Sequence, residues 1–464
     1  MDNPYLAGSY APVDREVTED CLEIIGEVPR DLTGIYVRNG PNPRFAPKGR
    51  HHWFDGDGML HAVSVSGGKV TYRNRWVHTA AFDREAEAGE PLWSGIMEPL
   101  GGNPKQAPIK DTANTDVIFH ASHLKALWYV SGAPYKVDAR TLATLGADDF
   151  GGQKRCTTTA HAKVDEATGE LMFFDYGLRA PFMSYGVVGA DGVLKHKAPI
   201  DLPGPRLPHD MAITSKHSIL MDLPVHFDAA AMQTGRWRTV FHADLPARFG
   251  VLPRSGQSTD VRWFEAEPCY VYHSINAWED GDEVVMVGCR VMNPIPPPDP
   301  TDGPLAAMMA NLRMNARLHE WRFNLKTGAT RETPLDDRNT EFPSMNAALQ
   351  GRQSRYSYNV SIAPERTLLF DGLVKYDLKT GATQSHTFGP GRYGSEAPFA
   401  ARLNARDEDD GYLLSFVHDE RTGRSELAIL DAKNVDRGPV ARVLLPQRVP
   451  HGFHACWVPA ERLA

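Results

Sequence analysis

A short turn recurs along this chain, and it limits the architecture more than any other feature. Val164-Asp165-Glu166-Ala167-Thr168-Gly169-Glu170-Leu171-Met172-Phe173 sets a turn between two short strand-like runs. Phe323-Asn324-Leu325-Lys326-Thr327-Gly328, Tyr376-Asp377-Leu378-Lys379-Thr380-Gly381 and His418-Asp419-Glu420-Arg421-Thr422-Gly423 repeat the pattern, and Val137-Asp138-Ala139-Arg140-Thr141 is a variant without the glycine. The Asx side chain can cap such a turn while glycine supplies a positive φ. The last three glycines lie roughly 40 to 55 residues apart, about the length of a four-stranded propeller blade. The 40 Gly and 35 Pro are spread along 464 residues, which favours many turns and short strands over long helices. These features predict an all-β fold: a seven-bladed β-propeller forming a single domain over residues 1–464. A sandwich of unrelated hairpins is the competing arrangement.

Within that frame, the residues up to about 40 read as an extended arm, closed by the turn cluster Arg38-Asn39-Gly40-Pro41-Asn42-Pro43. The Asp57-Gly58 step, followed by alternating apolar residues from Met59 to Val65, predicts a hairpin. One stretch departs from the β pattern. After the stiff loop Pro294-Ile295-Pro296-Pro297-Pro298-Asp299-Pro300, Leu305, Met308, Met309 and Leu312 fall on one helical face. Such a face usually packs on the body of the protein. The alternative is an apolar lid at a tunnel mouth, in which segment 305–314, ending at Met314, makes peripheral contact with a membrane.

Charge and cysteine usage exclude several functions. Fifty basic against 58 acidic residues give a net charge of −8 with no basic block, which argues against a nucleic-acid partner. Cys21, Cys156, Cys269, Cys289 and Cys456 are scattered, odd in number and never in a C-x-x-C pair, so neither a disulfide framework nor a thiolate zinc site is expected. A reducing, cytoplasmic compartment fits. Met1-Asp2-Asn3-Pro4-Tyr5 has no secretory signature, and no apolar run approaches the roughly 18 residues of a membrane span. No obligate protein partner is evident.

The C-terminal Arg448-Val449-Pro450-His451-Gly452-Phe453-His454-Ala455-Cys456-Trp457 carries two histidines three residues apart. Chain ends fray unless tied down, and a metal would tie this one, with His454 the last of several ligands. His161 stands just before a turn, His209 opens an alternating stretch, and His273 lies in Tyr270-Val271-Tyr272-His273-Ser274-Ile275-Asn276-Ala277-Trp278-Glu279. Each comes from a different part of the repeat series, as ligands converging on a propeller axis would. Spacing alone does not select these four from 18 histidines.

Several collinear motifs do select them. Arg38-Asn39-Gly40-Pro41-Asn42-Pro43, Phe54-Asp55-Gly56-Asp57-Gly58-Met59, Phe182-Met183-Ser184-Tyr185-Gly186-Val187, Asn276-Ala277-Trp278-Glu279 and Gly452-Phe453-His454 together resemble the carotenoid cleavage oxygenases, a family that also holds the lignostilbene dioxygenases. The resemblance runs nearly end to end. It implies a seven-bladed propeller capped by loops and short helices, and one non-haem Fe(II) per chain held by His161, His209, His273 and His454. Four neutral imidazoles would leave open positions for O₂. It also implies carboxylates behind the imidazoles, matched here by Glu341 and Glu396. Where a third family glutamate is usual, this chain reads Ala126-Leu127-Trp128-Tyr129-Val130-Ser131-Gly132, which puts Tyr129 or Val130 in its place; Tyr129 could accept a hydrogen bond through its phenol oxygen. Thr115 matches a family threonine beside an open iron position.

The same departure bears on substrate. The lignostilbene branch carries a phenol-binding lysine just before that glutamate, and Trp128 or Tyr129 stands there instead. The expected reaction is therefore cleavage of one conjugated C=C bond of an apocarotenoid or carotenoid by O₂, giving two carbonyl products, with no protein nucleophile or acid–base pair. The alternatives are the same iron chemistry on stilbenes or phenylpropenes, and a propeller that binds without catalysis.

Overall fold

Strands that alternate two apolar faces must cover both, and this chain does so by stacking small sheets around an axis. The computed structural model describes residues 3–100, 107–153 and 156–463, in which seven antiparallel sheets form the blades of a propeller. The first blade runs Asp116–His120, His123–Leu127, Tyr135–Val137, Thr144–Ala147, and the second Lys163–Asp165, Glu170–Tyr176, Phe182–Val188, Leu194–Asp201. The third comprises Ala212–Ile213, His217–Asp222, Ala247–Pro253 and Arg262–Ala266, with a small hairpin, Val225–Phe227 and Thr239–Phe241, inserted. Tyr270–Asp280, Glu283–Val291, Ala316–Asn324 and Thr330–Pro334 make the fourth; Thr340–Ser344, Tyr356–Ile362, Phe370–Asp377 and Thr383–Thr387 make the fifth.

Both ends of the chain close the ring. In the sixth blade, Phe399–Ala401 and Arg392–Tyr393 pair with Gly411–Asp419, followed by Arg424–Asp431, Pro439–Leu444 and the N-terminal strand Ile24–Gly26. The seventh joins the C-terminal strand Ala455–Pro459 to Gly34–Pro41, Gly58–Ser66, Lys69–Trp76 and Thr18–Glu19. First strands of the seventh and first, third and fourth, fourth and fifth, and sixth and seventh blades pack on one another around the axis. The apolar core is divided into slabs between blades. Val37, Leu60, Val117 and Leu124 fill the gap between seventh and first, and Phe249, Trp321 and Phe323 the gap between third and fourth.

The recurrent turn is real, but it is not a strict repeat. Gly169, Gly328, Gly381 and Gly423 all take a positive φ, at 71°, 83°, 73° and 68°. The Asp165 carbonyl accepts the Gly169 N–H at 2.7 Å while its Oδ1 accepts from Ala167 N–H at 3.0 Å. In the glycine-less variant Leu142 adopts the left-handed conformation itself, at φ 60°, with its side chain buried. The turn joins first to second strand in the second blade, third to fourth in the first, fourth and fifth, and second to third in the sixth.

Three sequence expectations change. Arg38 to Pro41 are not the end of an arm: they lie in Gly34–Pro41, every residue of which is buried between two partner strands. A hairpin does follow Asp57-Gly58, but its turn is Gly67-Gly68, joining Gly58–Ser66 to Lys69–Trp76. The helical segment is a 3₁₀ turn, Pro300–Leu305, leading into Ala306–Leu312. Leu305, Met308, Met309, Leu312 and Met314 are buried in one apolar cluster that also holds Tyr5, Tyr10 and Trp53, so this face packs on the body of the protein. No helix among the described residues is long and apolar enough to cross a membrane.

Two motif residues hold neighbouring blades together. Asn276 donates to the carbonyls of Leu349 and Arg352 at 3.1 and 2.7 Å and accepts from Gly351 N–H at 2.9 Å, tying the fourth blade to the fifth. Glu279 ties it to the third, accepting from Thr214 Oγ1, Ser215 Oγ, Lys216 N and His217 Nδ1. Burial alone would raise the Glu279 pKa, but these donors pull it down to about 2. A depressed carboxylate contributes stability that is present above its ordinary range and lost as pH falls through its folded value. Glu279→Gln should therefore lower stability by about 1 kcal/mol at pH 7, and the gap from wild type, followed by urea unfolding, should close between the usual glutamate range and pH about 2. Gly40 offers a second test, because a Cβ there would lie 2.8 Å from the Gly452 Cα, and backbone would have to move. Gly40→Ala should cost about 1–3 kcal/mol in the same assay.

Candidate metal centre

Each blade sends at least one residue from its first strand, or from the residues entering it, towards the axis. Thr115 and Asp116 come from the first, His161 from the second, His209 from the third and His273 from the fourth. Glu341, Glu396 and His454 follow from the fifth, sixth and seventh. Local backbone aims them. His273 sits where the register with Glu283–Val291 shifts between Val271 and Ser274, a bulge that re-aims a side chain. His161 is held at φ 65°, a strained conformation for a non-glycine residue, and its N–H donates to Asp116 Oδ2 at 3.1 Å. His454 is fixed from both sides: its N–H donates to the Thr115 carbonyl at 3.2 Å and its carbonyl accepts from Asn39 N–H at 2.9 Å. The Gly40–Gly452 approach lets the two backbones come this close, which is the physical role of the Arg38-Asn39-Gly40 motif.

The four imidazoles meet. The His161 ring centre lies 4.7, 4.9 and 4.5 Å from those of His209, His273 and His454. His273 is 5.2 Å from His209 and 4.6 Å from His454. Ligand nitrogens of His161, His273 and His454 all lie within 4.8 Å of one another. His273 Nδ1 donates to Glu341 Oε2 at 2.5 Å and His454 Nδ1 to Glu396 Oε1 at 3.2 Å. Glu341 Oε2 also takes the Phe342 N–H, while its Oε1 is buried without a hydrogen-bond partner among the described residues, and Glu396 Oε2 takes the Ala455 N–H at 2.5 Å. A proton held at Nδ1 leaves a lone pair at Nε2. The Nε2 atoms of His161 and His273 are buried without any hydrogen-bond partner among the described residues. Such unpaired atoms are costly unless something binds them.

The electrostatics agree with neutral ligands. Burial, reinforced by the neighbouring imidazoles, pushes His161, His209 and His273 well below the usual imidazole range. Burial works the same way on His454, but the charge and hydrogen bond of Glu396 outweigh it and hold that pKa raised. Burial pushes the Glu341 and Glu396 carboxyls up, a cost that a cation at the centre would relieve. Phe342 stacks on His454 at 4.8 Å and 24°, and Tyr272 meets His209 edge-on at 5.1 Å, so the surroundings of the imidazoles are aromatic.

Tyr129 is not brought to the imidazoles. Its N–H donates to Thr115 Oγ1 at 3.2 Å and its carbonyl accepts from Thr159 Oγ1 at 2.7 Å, but its ring turns to meet Phe54 edge-on at 4.9 Å. The phenol is hydrogen-bonded to none of the four histidines among the described residues, and His209 has no carboxylate partner among them. With Phe54, Trp93, Ile96, Ile109 and Trp128, Tyr129 lines a pocket, and the indole N–H of Trp128 is buried without a partner among the described residues. Thr115 Oγ1 donates to Asn114 Oδ1 at 2.9 Å. Sequence reasoning missed Asp116, and with it the buried pair of Lys163 Nζ and Asp210 Oδ1 at 2.7 Å, whose other oxygen accepts from Ser274 N and Oγ. The only signal was adjacency, since each acid directly follows a residue already singled out.

The sequence matches the retinal pigment epithelial membrane protein family over residues 10–459. It is 39% identical to a carotenoid 9,10(9′,10′)-cleavage dioxygenase of Crocus sativus, over 99% of this chain and 90% of that one. Among solved structures, the lignostilbene dioxygenase of Pseudomonas brassicacearum superposes with a TM-score of 0.88 at 30% identity, covering 98% of each chain. A cobalt-substituted apocarotenoid oxygenase of Synechocystis does so with a TM-score of 0.85 at 26% identity, covering 97% of each. Alignment along nearly the whole chain, with the same propeller beneath it, establishes that the chain belongs to the carotenoid cleavage oxygenase family and is an oxidoreductase of the dioxygenase type.

Proposed function

We propose that this chain, acting as a single propeller domain, is a non-haem Fe(II) dioxygenase that cleaves one conjugated C=C bond of an apocarotenoid or carotenoid with O₂, giving two carbonyl products. The observation that carries the reading is the convergence of four imidazoles, two of them with buried, unpartnered Nε2 atoms. That donor set fits a borderline cation such as Fe(II), with positions left open. His161, His209, His273 and His454 would hold the ion, one per chain, and bound iron would supply the oxygen chemistry.

The chain's own groups then have limited, definable tasks. Glu341 and Glu396 keep protons at Nδ1 of His273 and His454, so that both rings present Nε2 and cannot rotate. Phe342, Tyr272 and Phe453 exclude water and offer π faces to a polyene. The mechanism assigns no side chain as nucleophile or general base, because both oxygen atoms of the products come from O₂. With Trp128 or Tyr129 at the lysine position of the lignostilbene branch, a polyene is preferred over a free phenol. The lignostilbene dioxygenase neighbour keeps stilbenes and phenylpropenes as the second reading. All five cysteines are free, which suits a reducing cytoplasm.

Anaerobically reconstituted protein should hold about one iron per chain and bleach an apocarotenoid only when O₂ is admitted; His454→Ala should lose both. Iron together with loss of stilbene fluorescence but no bleaching would move the substrate to the second reading, and protein without stoichiometric iron would overturn the proposal. Glu341→Gln should weaken Fe(II) binding about 10- to 100-fold by competition titration. Tyr129→Phe should leave it unchanged, since the phenol touches none of the ligands.

A further inference from the structure

The first blade is the one blade that contributes neither a histidine nor a glutamate to the axis, yet it contributes a carboxylate. Asp116 is 7% exposed, and its Oδ2 lies 3.1 Å from His161 N and 4.0 Å from His161 Nδ1. Oδ1 accepts Val117 N–H at 2.7 Å, and the Asp116 carbonyl accepts from Asn39 Nδ2 at 3.0 Å, so the side chain and its strand are both fixed. Its charge also falls on His454 and Glu396, which places it against the same ring of groups.

What sets Asp116 apart is its lack of a counter-ion. The other buried aspartate at the axis, Asp210, is neutralised by Lys163 at 2.7 Å. Asp116 has no lysine or arginine within ion-pair distance among the described residues; the one basic side chain at that distance among them is His161. A buried carboxylate without a cation is expensive, and proteins keep one where a metal or a charged ligand balances it. With Lys163 and Asp210 cancelling, the carboxylates left around the four imidazoles are Glu341, Glu396 and Asp116. That is three, the number the family resemblance implies, although Tyr129 or Val130 stands at the third glutamate position.

We propose that Asp116 is the third carboxylate of the metal centre, a positioning residue that clamps the strained His161 backbone and balances the charge of a bound divalent cation in place of the missing glutamate. The assignment rests on the metal reading above. It makes the loss of the glutamate a relocation of charge within the first blade, from the turn after His123–Leu127 to the strand Asp116–His120.

Cobalt(II), titrated into the apoprotein and followed by its visible spectrum and by competition with a chelator, separates charge from clamping. Asp116→Asn should weaken Co(II) binding about 10- to 100-fold while the apoprotein keeps its melting temperature. Asp116→Glu keeps the charge but alters the short clamp, and should retain most of the affinity; it decides alone if the Asn variant does not fold. Wild-type affinity in Asp116→Asn, or equal losses in both variants together with a lowered melting temperature, would overturn the assignment and leave a purely structural clamp. Wild-type protein that takes up no Co(II) would overturn the metal centre itself, and Asp116 with it, a failure told apart by being present before any substitution is made.

Discussion

The pairing of Ala455–Pro459 with Gly34–Pro41 is the interaction on which the rest depends. It closes the ring, and it joins residues more than 400 positions apart, a closure with a large entropic cost before any contact forms. It also positions the axis. His454 enters immediately before the C-terminal strand, and the Asn39 backbone and the Gly40–Gly452 approach hold it opposite Thr115. The propeller is complete only when its last histidine is in place, so fold and centre are assembled by one contact.

Electrostatics at the axis follow from burial. Three imidazoles are driven towards neutrality, while two glutamates and an aspartate stay buried beside them. Hydrogen bonds from backbone N–H groups and from Nδ1 atoms satisfy much of that carboxylate surface, but they do not balance its charge. A cation bound by the imidazoles would balance it, and metal binding would then contribute to stability as well as to chemistry. The aromatic surroundings keep the local dielectric low, which strengthens both effects.

The architecture was legible in the Asx-x-x-Thr-Gly turns because a positive φ leaves a mark on sequence, as Gly328, Gly381 and Gly423 do. Leu142 shows the limit: tertiary packing can force the same geometry on a residue that carries no such mark. Arg38-Asn39-Gly40-Pro41 was misread for a related reason. Its turn-forming residues serve a close backbone approach inside a buried strand, and local chemistry does not distinguish the two uses. The histidines were legible only through family resemblance, since their neighbours differ and convergence is a property of the ring. Segment 305–314 showed its amphipathic face but not what covers it, which is an apolar cluster that also holds Tyr5, Tyr10 and Trp53, about 250 to 300 residues away in sequence. Asp116 was invisible because nothing in sequence marks a carboxylate that lacks a counter-ion.

The central claim is that four blades share one metal. It is tested most directly by a crystal structure of the Fe(II)-reconstituted protein, with anomalous data collected on either side of the iron absorption edge. The account predicts a single strong anomalous peak at the common focus of His161, His209, His273 and His454, within coordination distance of all four Nε2 atoms. A peak elsewhere, a peak bound by only some of the four, or none at full iron loading would contradict it.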